Sequence, residues 1–260
     1  MITAEPLLTV LHLGVFVFKF LALSAAALIA VPALAAPNLV VNGGFENTPL
    51  GVQQQYVGTQ LPGWTLDTSI YKYEDVYDAN AATNYTNSYD GGGGPGSDDR
   101  RLAASFAGLS PSGGNFLGID GDPQYGSPLS QTITGLTAGK KYVVKFDWAA
   151  TQLRNRQGST TNQWLVSLGG TTQATPVVSV ASQAFQGWYS QSFTYTAAAA
   201  SEVLKFVANG TPAGLPPYAL LDGVSLTAAV PEAATWVMMI AGFGLVGFAT
   251  RRRRTGAVAA

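Results

Sequence analysis

The sequence predicts an all-β fold, a two-sheet sandwich of jelly-roll topology, set between two apolar chain ends. Three observations carry this expectation. Apolar and polar residues alternate over many short runs, as half-buried strands require. The runs are broken by turn residues, in a chain holding 30 Gly and 14 Pro among its 260 residues. No helical period precedes the C-terminal tail, and many short strands with Gly-rich connections pack as two facing sheets.

In chain order, the first element is a targeting segment. Phe20 to Leu34 is an apolar stretch behind Lys19, and Ala33-Leu34-Ala35 is a small-x-small site. This predicts a signal peptide over residues 1–35, cut by signal peptidase after Ala35. Residues 36–229 then form the exported β-sandwich. That length supports one large sandwich with ample core.

Strands are expected at NLVVN from Asn38, LSQTIT from Leu129, KKYVVKFDWAA from Lys140, NQWLVSL from Asn162, GWYSQSFTYT from Gly187, EVLKFVA from Glu202 and YALLDGVSL from Tyr218. The run from Lys140 puts Tyr142, Val144, Phe146 and Trp148 on one face and Val143, Lys145 and Asp147 on the other. A long loop over residues 71–101, YKYEDVYDANAATNYTNSYDGGGGPGSDDRR, interrupts the rhythm and is too irregular for a strand pair. Such loops are either loose insertions or ligand loops. Its tyrosines offer flat faces and hydroxyls to a sugar.

The chain closes with VPEAATWVMMIAGFGLVGFATRRRR. Residues 233–250 are uncharged, and eighteen helical residues span roughly 27 Å, against a hydrocarbon core of about 30 Å. A transmembrane helix over 233–250 follows, with the cluster Arg251, Arg252, Arg253 and Arg254 fixing its cytoplasmic end.

Composition excludes several functions. Residues 37–230 hold nine Lys and Arg against thirteen Asp and Glu, a balance that argues against nucleic acid as a partner. There are no cysteines, so neither disulfides nor thiolate metal sites are available. The single histidine, His12, lies in the targeting segment, which leaves no imidazole for a catalytic triad. Asp120 and Asp122, in GNFLGIDGDPQYG, could form a glycosidase-type carboxylate pair, but acids two apart beside glycines more often form turns. The expectation is a protein that is not an enzyme.

Two acids stand out as metal ligands. Strict alternation in YALLDGVSL places Asp222 on the face of Leu220, Val224 and Leu226, where a carboxylate is costly unless paired or metal-bound. Glu46 follows the Gly43-Gly44 bend near the other end of the domain. One calcium ion held by Glu46 and Asp222 would tie the first and last strands together. The alternative is that Asp222 caps a turn or accepts from backbone amides. The sugar-binding candidates are Trp64, Tyr73, Tyr77, Tyr85, Tyr89 and Trp188, with Trp64 and Trp188 equally suited to the core.

The stretches NLVVNGGFEN, GWTL at Gly63, LTAGKKYVVKFDWAA, GWYSQSFTYT and YALLDGVSL together resemble the galactose-binding-like jelly roll of carbohydrate-binding modules, across residues 38–227. The resemblance implies a structural calcium at the positions of Glu46 and Asp222. A second acid commonly follows that aspartate in such modules; Gly223 stands there instead.

The tail resembles the PEP-CTERM sorting signal of Gram-negative bacteria, through Pro231, Glu232, Trp236, Gly242, Gly244, Gly247 and the four arginines, with Ala233 in place of the second proline. This resemblance implies processing by an exosortase, an inner-membrane precursor, and a mature protein at the cell surface or in the extracellular matrix. Together these readings lead to two functions. The first is an exported module that binds exopolysaccharide or cell-surface glycan. The second is a structural biofilm-matrix or adhesion protein without specific sugar binding.

Overall fold

The computed structural model describes residues 36–49, 61–66, 74–78, 101–154, 156–215, 217–229 and 238–247. By its internal contacts the chain divides into residues 1–35 and residues 36–260. Among the described residues there are eleven strands: β1 (Thr65–Leu66), β2 (Glu74–Tyr77), β3 (Phe116–Asp120), β4 (Leu129–Thr134), β5 (Lys141–Gln152), β6 (Thr160–Leu168), β7 (Thr171–Ala174), β8 (Val178–Val180), β9 (Gln186–Thr196), β10 (Ser201–Thr211) and β11 (Pro217–Ala228).

They build two antiparallel sheets, as the alternation predicted. One runs β1-β4-β10-β6-β7, with β8 also pairing β6, and the other runs β2-β3-β11-β5-β9. The chain changes sheet between β1 and β2, β3 and β4, β4 and β5, β5 and β6, β8 and β9, β9 and β10, and β10 and β11. This repeated crossing is the jelly roll.

The core lies between the sheets. From β5 it takes Tyr142, Val144, Phe146, Trp148 and Ala150, facing Trp164 and Val166 of β6 and Leu204, Phe206 and Ala208 of β10. Phe206 sits at its centre, with Phe146, Trp164 and Trp64 edge-on around it at centroid separations of 5.2, 6.1 and 6.2 Å. Edge-to-face rings of this kind add about 0.5–1.5 kcal/mol per pair beyond the area they bury. The Trp64 indole donates to the Asn42 carbonyl at 2.9 Å and the Tyr195 hydroxyl to the Val166 carbonyl at 2.7 Å, whereas the Trp148 indole N–H is buried without a hydrogen bond.

Several expectations change. NLVVN is no strand, although it lies alongside one: Leu39 N–H donates to the Leu226 carbonyl, Leu226 N–H to Asn38 Oδ1, and Val224 N–H to the Gly43 carbonyl. It continues beside β11 past Leu221, where β3 stops pairing. Within the 71–101 loop, Glu74–Tyr77 forms β2 on the edge of the five-stranded sheet, all four residues buried, while 79–100 lie outside the described residues.

At the C-terminus, residues 238–247 are helical and exposed; the rest of the helix expected over 233–250 lies outside the described residues. Among the described residues no helix is long and apolar enough to cross a membrane.

Candidate functional site

The site grows out of a break in β11. Ala219 and Leu221 belong to the core between the sheets, and so do Val224 and Leu226. Such a set cannot lie on one face of a regular strand, so an extra residue must intervene. The β11–β5 register shifts between Asp222 and Ser225, and Gly223 has a positive φ of 58°. The bulge corrects the expectation for Asp222. It points with Leu220 to the outer face of the five-stranded sheet, not with Val224 and Leu226 into the core.

Asp222 is nevertheless fully buried, at 0% exposure. Asp147 of β5 stands directly opposite it and is 8% exposed. The N-terminal bend brings up Glu46, with Gly44 lodged between the Glu46 and Asp222 side chains. Gly43 packs so closely on the Val224 carbonyl that a Cβ there would lie 1.9 Å from its oxygen. This close backbone contact holds the bend that carries Glu46 against β11.

Each acid has a distinct environment. Asp147 accepts from the Ser190 hydroxyl at 2.6 Å on one oxygen and from the Ser112 hydroxyl at 2.7 Å on the other. Glu46 accepts from the Asn115 amide at 2.7 Å. Asp222 Oδ1 accepts from Gly223 N–H at 2.6 Å, while Oδ2 is buried without a hydrogen bond. Burial pushes the Asp222 carboxyl up to about 7; the Ser110 hydroxyl and Gly223 amide pull it down, and the charges of Asp147 and Glu46 raise it again.

A buried, under-bonded carboxylate beside two other acids is a place where a hard cation fits. Among the described residues no three acidic or imidazole side chains converge tightly enough to hold an ion alone. A calcium ion held by Glu46 and Asp222 would need carbonyl or hydroxyl oxygens to complete its shell. Asp147, which sequence reasoning treated only as an outward strand residue, joins the cluster through its register opposite Asp222.

Beside this cluster lies a pocket of about 450 Å³ on the same outer face. Its polar lining includes Ser112, Lys145, Asp147, Ser190, Ser192 and Ser225, together with Gln191. The strands set these in rows: Ser225, Lys145 and Ser192 side by side, then Asp222, Asp147 and Ser190. Such a surface offers fixed donors and acceptors at strand spacing.

The other half of this face is apolar. Tyr77, Phe116, Tyr218, Leu220 and Ala149 cluster beneath Leu102 and Phe106 of the segment before β3.

The aromatic candidates fare differently. Trp64 is 2% exposed in the main core, and Tyr77 is 2% exposed, stacked on Phe116 at 5.4 Å, so neither can face a sugar. Trp188 is half-buried, edge-on to Phe116 at 5.5 Å, with its indole donating to the Gly108 carbonyl at 3.3 Å. Tyr73, Tyr85 and Tyr89 lie outside the described residues, as do Pro231, Glu232, Trp236 and Arg251, Arg252, Arg253 and Arg254. Gly242, Gly244 and Gly247 lie in the exposed helical segment. Asp122 of the carboxylate pair serves a turn, accepting from the Gln124 and Gly214 amides at 2.9 and 3.0 Å.

Comparison with known proteins identifies one motif. Residues 229–254 match the PEP-CTERM protein-sorting motif. No curated protein matches the chain. Among solved structures, similar ones include TmCBM61 in complex with beta-1,4-galactotriose, at 15% identity and TM-score 0.42, covering 75% of this chain and all of that one. A CBM4 structure is 17% identical with TM-score 0.35, covering 73% of this chain and 99% of its own. The CBM22-1 xylan-binding domain from Paenibacillus barcinonensis Xyn10C is 16% identical with TM-score 0.38, covering 76% and 99%.

Proposed function

We propose that this chain is an exported, non-catalytic protein that binds an exopolysaccharide or cell-surface glycan on the outer face of its five-stranded sheet. The observation that carries the reading is the pocket beside Asp147. Four serine hydroxyls, an ammonium group and an oriented carboxylate line about 450 Å³. That volume lies within the range of small-ligand sites, about 300–1,000 Å³. Hydroxyls that both donate and accept, next to an acceptor held rigid by Ser112 and Ser190, suit the vicinal hydroxyl groups of a sugar.

In this proposal a calcium ion between Glu46 and Asp222 neutralises the buried charge and braces the pocket wall, because Asp147 belongs to both. The sorting motif at residues 229–254 supports export and an exosortase as processing partner, with an inner-membrane precursor in a Gram-negative cell.

The test is binding of residues 36–229 to a glycan array and to the producer's own exopolysaccharide, with calcium and with chelator. One polymer class should bind, and replacing Ser112 and Ser190 together by Ala should weaken it at least about tenfold, since two charge-assisted bonds would be lost. A folded domain that binds no glycan would overturn the module reading. The second reading, a structural matrix or adhesion protein, would replace it; the long uncharged edge of β9 favours that alternative.

A further inference from the structure

The outer strands of the two sheets are unequal. Among the described residues, β7 and β8, at one margin of the six-stranded sheet, have 4 and 3 residues, whereas β9 has 11. Very short edges are one way in which proteins keep unpaired backbone from recruiting another chain. Lysine, proline and bulges are others. β9 reads QGWYSQSFTYT, with no charge and no proline. Its one irregularity lies near Gly187, where the register to β5 shifts between Ala149 and Ala150, and Trp188–Thr196 runs on in unbroken register.

The outward side of this strand can be assigned. The Thr194 carbonyl accepts from the Gln173 side chain of β7 at 2.9 Å, so Thr194 turns its backbone polar groups away from β5. By the two-residue period, Ser192 and Ser190 do the same. Among the described residues no strand pairs with that side; its Thr194 carbonyl accepts from the Gln173 side chain and its Ser192 carbonyl only from the neighbouring Gln191 side chain, at 3.4 Å.

We infer that β9 is an interface between two copies of this chain, paired antiparallel along this edge so that two five-stranded sheets become one of ten strands. An uncharged strand meets its own copy without like-charge repulsion, and the antiparallel arrangement follows from a twofold axis normal to the sheet. That axis leaves the outer faces of both copies on the same side, with Ser190 and Ser192 of each near the junction. The inference rests on sheet topology and strand sequence, and holds whether or not the pocket binds a glycan.

The chain has no cysteine, so single replacements report on proximity without background. Ser190→Cys, Ser192→Cys and Thr194→Cys would be made in the full chain and exported by the producing cell, with Thr132→Cys, exposed on the other sheet, as control. Residues directly opposite across antiparallel strands lie within disulfide reach. At least one β9 position should give a disulfide-linked dimer at ten times the control yield or more. Cross-linking no higher than Thr132→Cys at every position would overturn the inference, as would adducts whose mass matches another polypeptide.

Light scattering on the exported protein supplies the second readout. Ser192→Pro removes an outward amide that β5 does not use, a position where an edge strand tolerates proline. The wild-type mass should be that of a dimer and should halve in this variant, with the melting temperature within about 2 °C of wild type. A wild-type monomer, or a dimer that survives Ser192→Pro, would overturn it.

Discussion

Replacing Asp222 by Asn isolates the charge that the β11 bulge buries. In the folded chain without a cation, the Asp222 carboxyl is raised from 3.8 to about 7, chiefly by burial. At 1.36 kcal/mol per unit, a shift of roughly three units corresponds to about 4 kcal/mol. The folded state holds this proton more tightly than the unfolded state. The contribution to stability is therefore full below pH 4, falls as pH rises through the window from about 4 to 7, and is gone above it.

In chelator, wild-type protein should lose stability across that window, while Asp222→Asn should not show this component. By pH 8 the variant should be the more stable of the two by up to about 4 kcal/mol, on the order of 10 °C in melting temperature for a domain of this size. Calcium should reverse the order. A bound cation favours the carboxylate, so wild type should gain stability with calcium at pH 8 and the variant should not. Urea melts at pH 4, 6 and 8, with chelator and with millimolar calcium, measure all of this. An identical pH slope for both proteins in chelator would refute the assignment of a buried ionisable Asp222, and equal calcium responses would refute the ion site.

Two further outcomes follow from the geometry. Gly223→Ala puts a Cβ 2.0 Å from the Ser112 hydroxyl oxygen, at a φ of 58°, so it should cost at least about 2 kcal/mol in urea melts. A cost within 0.5 kcal/mol of zero would mean the bulge is not constrained as described. Trp64→Ala should cost about 3–5 kcal/mol, because Trp64 fills the core beside Phe206 and Phe45, yet leave glycan affinity unchanged well below its melting temperature. A selective loss of binding with unchanged stability would restore Trp64 as a sugar platform.

The strands that period two disclosed are those with one buried and one open face over part of their length: β4, β5, β6, β9, β10 and β11. β3 was missed because all five residues of FLGID are buried, which erases the alternation, and because its glycines and acids read as a turn. β2 was missed for the same reason, EDVY being buried on both faces within a polar stretch. Glu46 and Asp222 could each be singled out, since a glycine bend and a strand acid can be read locally, and Gly44 lies beside both side chains. The face that Asp222 occupies was not legible, because it depends on the bulge, and a single glycine after an acid does not disclose one. Asp147 was placed on the outward face, but its partnership with Asp222 is a matter of inter-strand register, which one sequence does not state.

The bulge explains why one sheet face serves two ends. Without the extra residue, β11 would either bury Asp222 in the main core or turn Val224 and Leu226 outward, and each would cost several kcal/mol. With it, core packing continues on one side while the acid joins Asp147 on the other. Gly223 also leaves the space into which Ser112 reaches Asp147, so a side chain at that position would displace the hydroxyl that orients the carboxylate lining the pocket. Gly223 is thus compatible with the proposed ion site: Asp147 brings a second carboxylate from the neighbouring strand, and the bulge makes room for the serine that holds it.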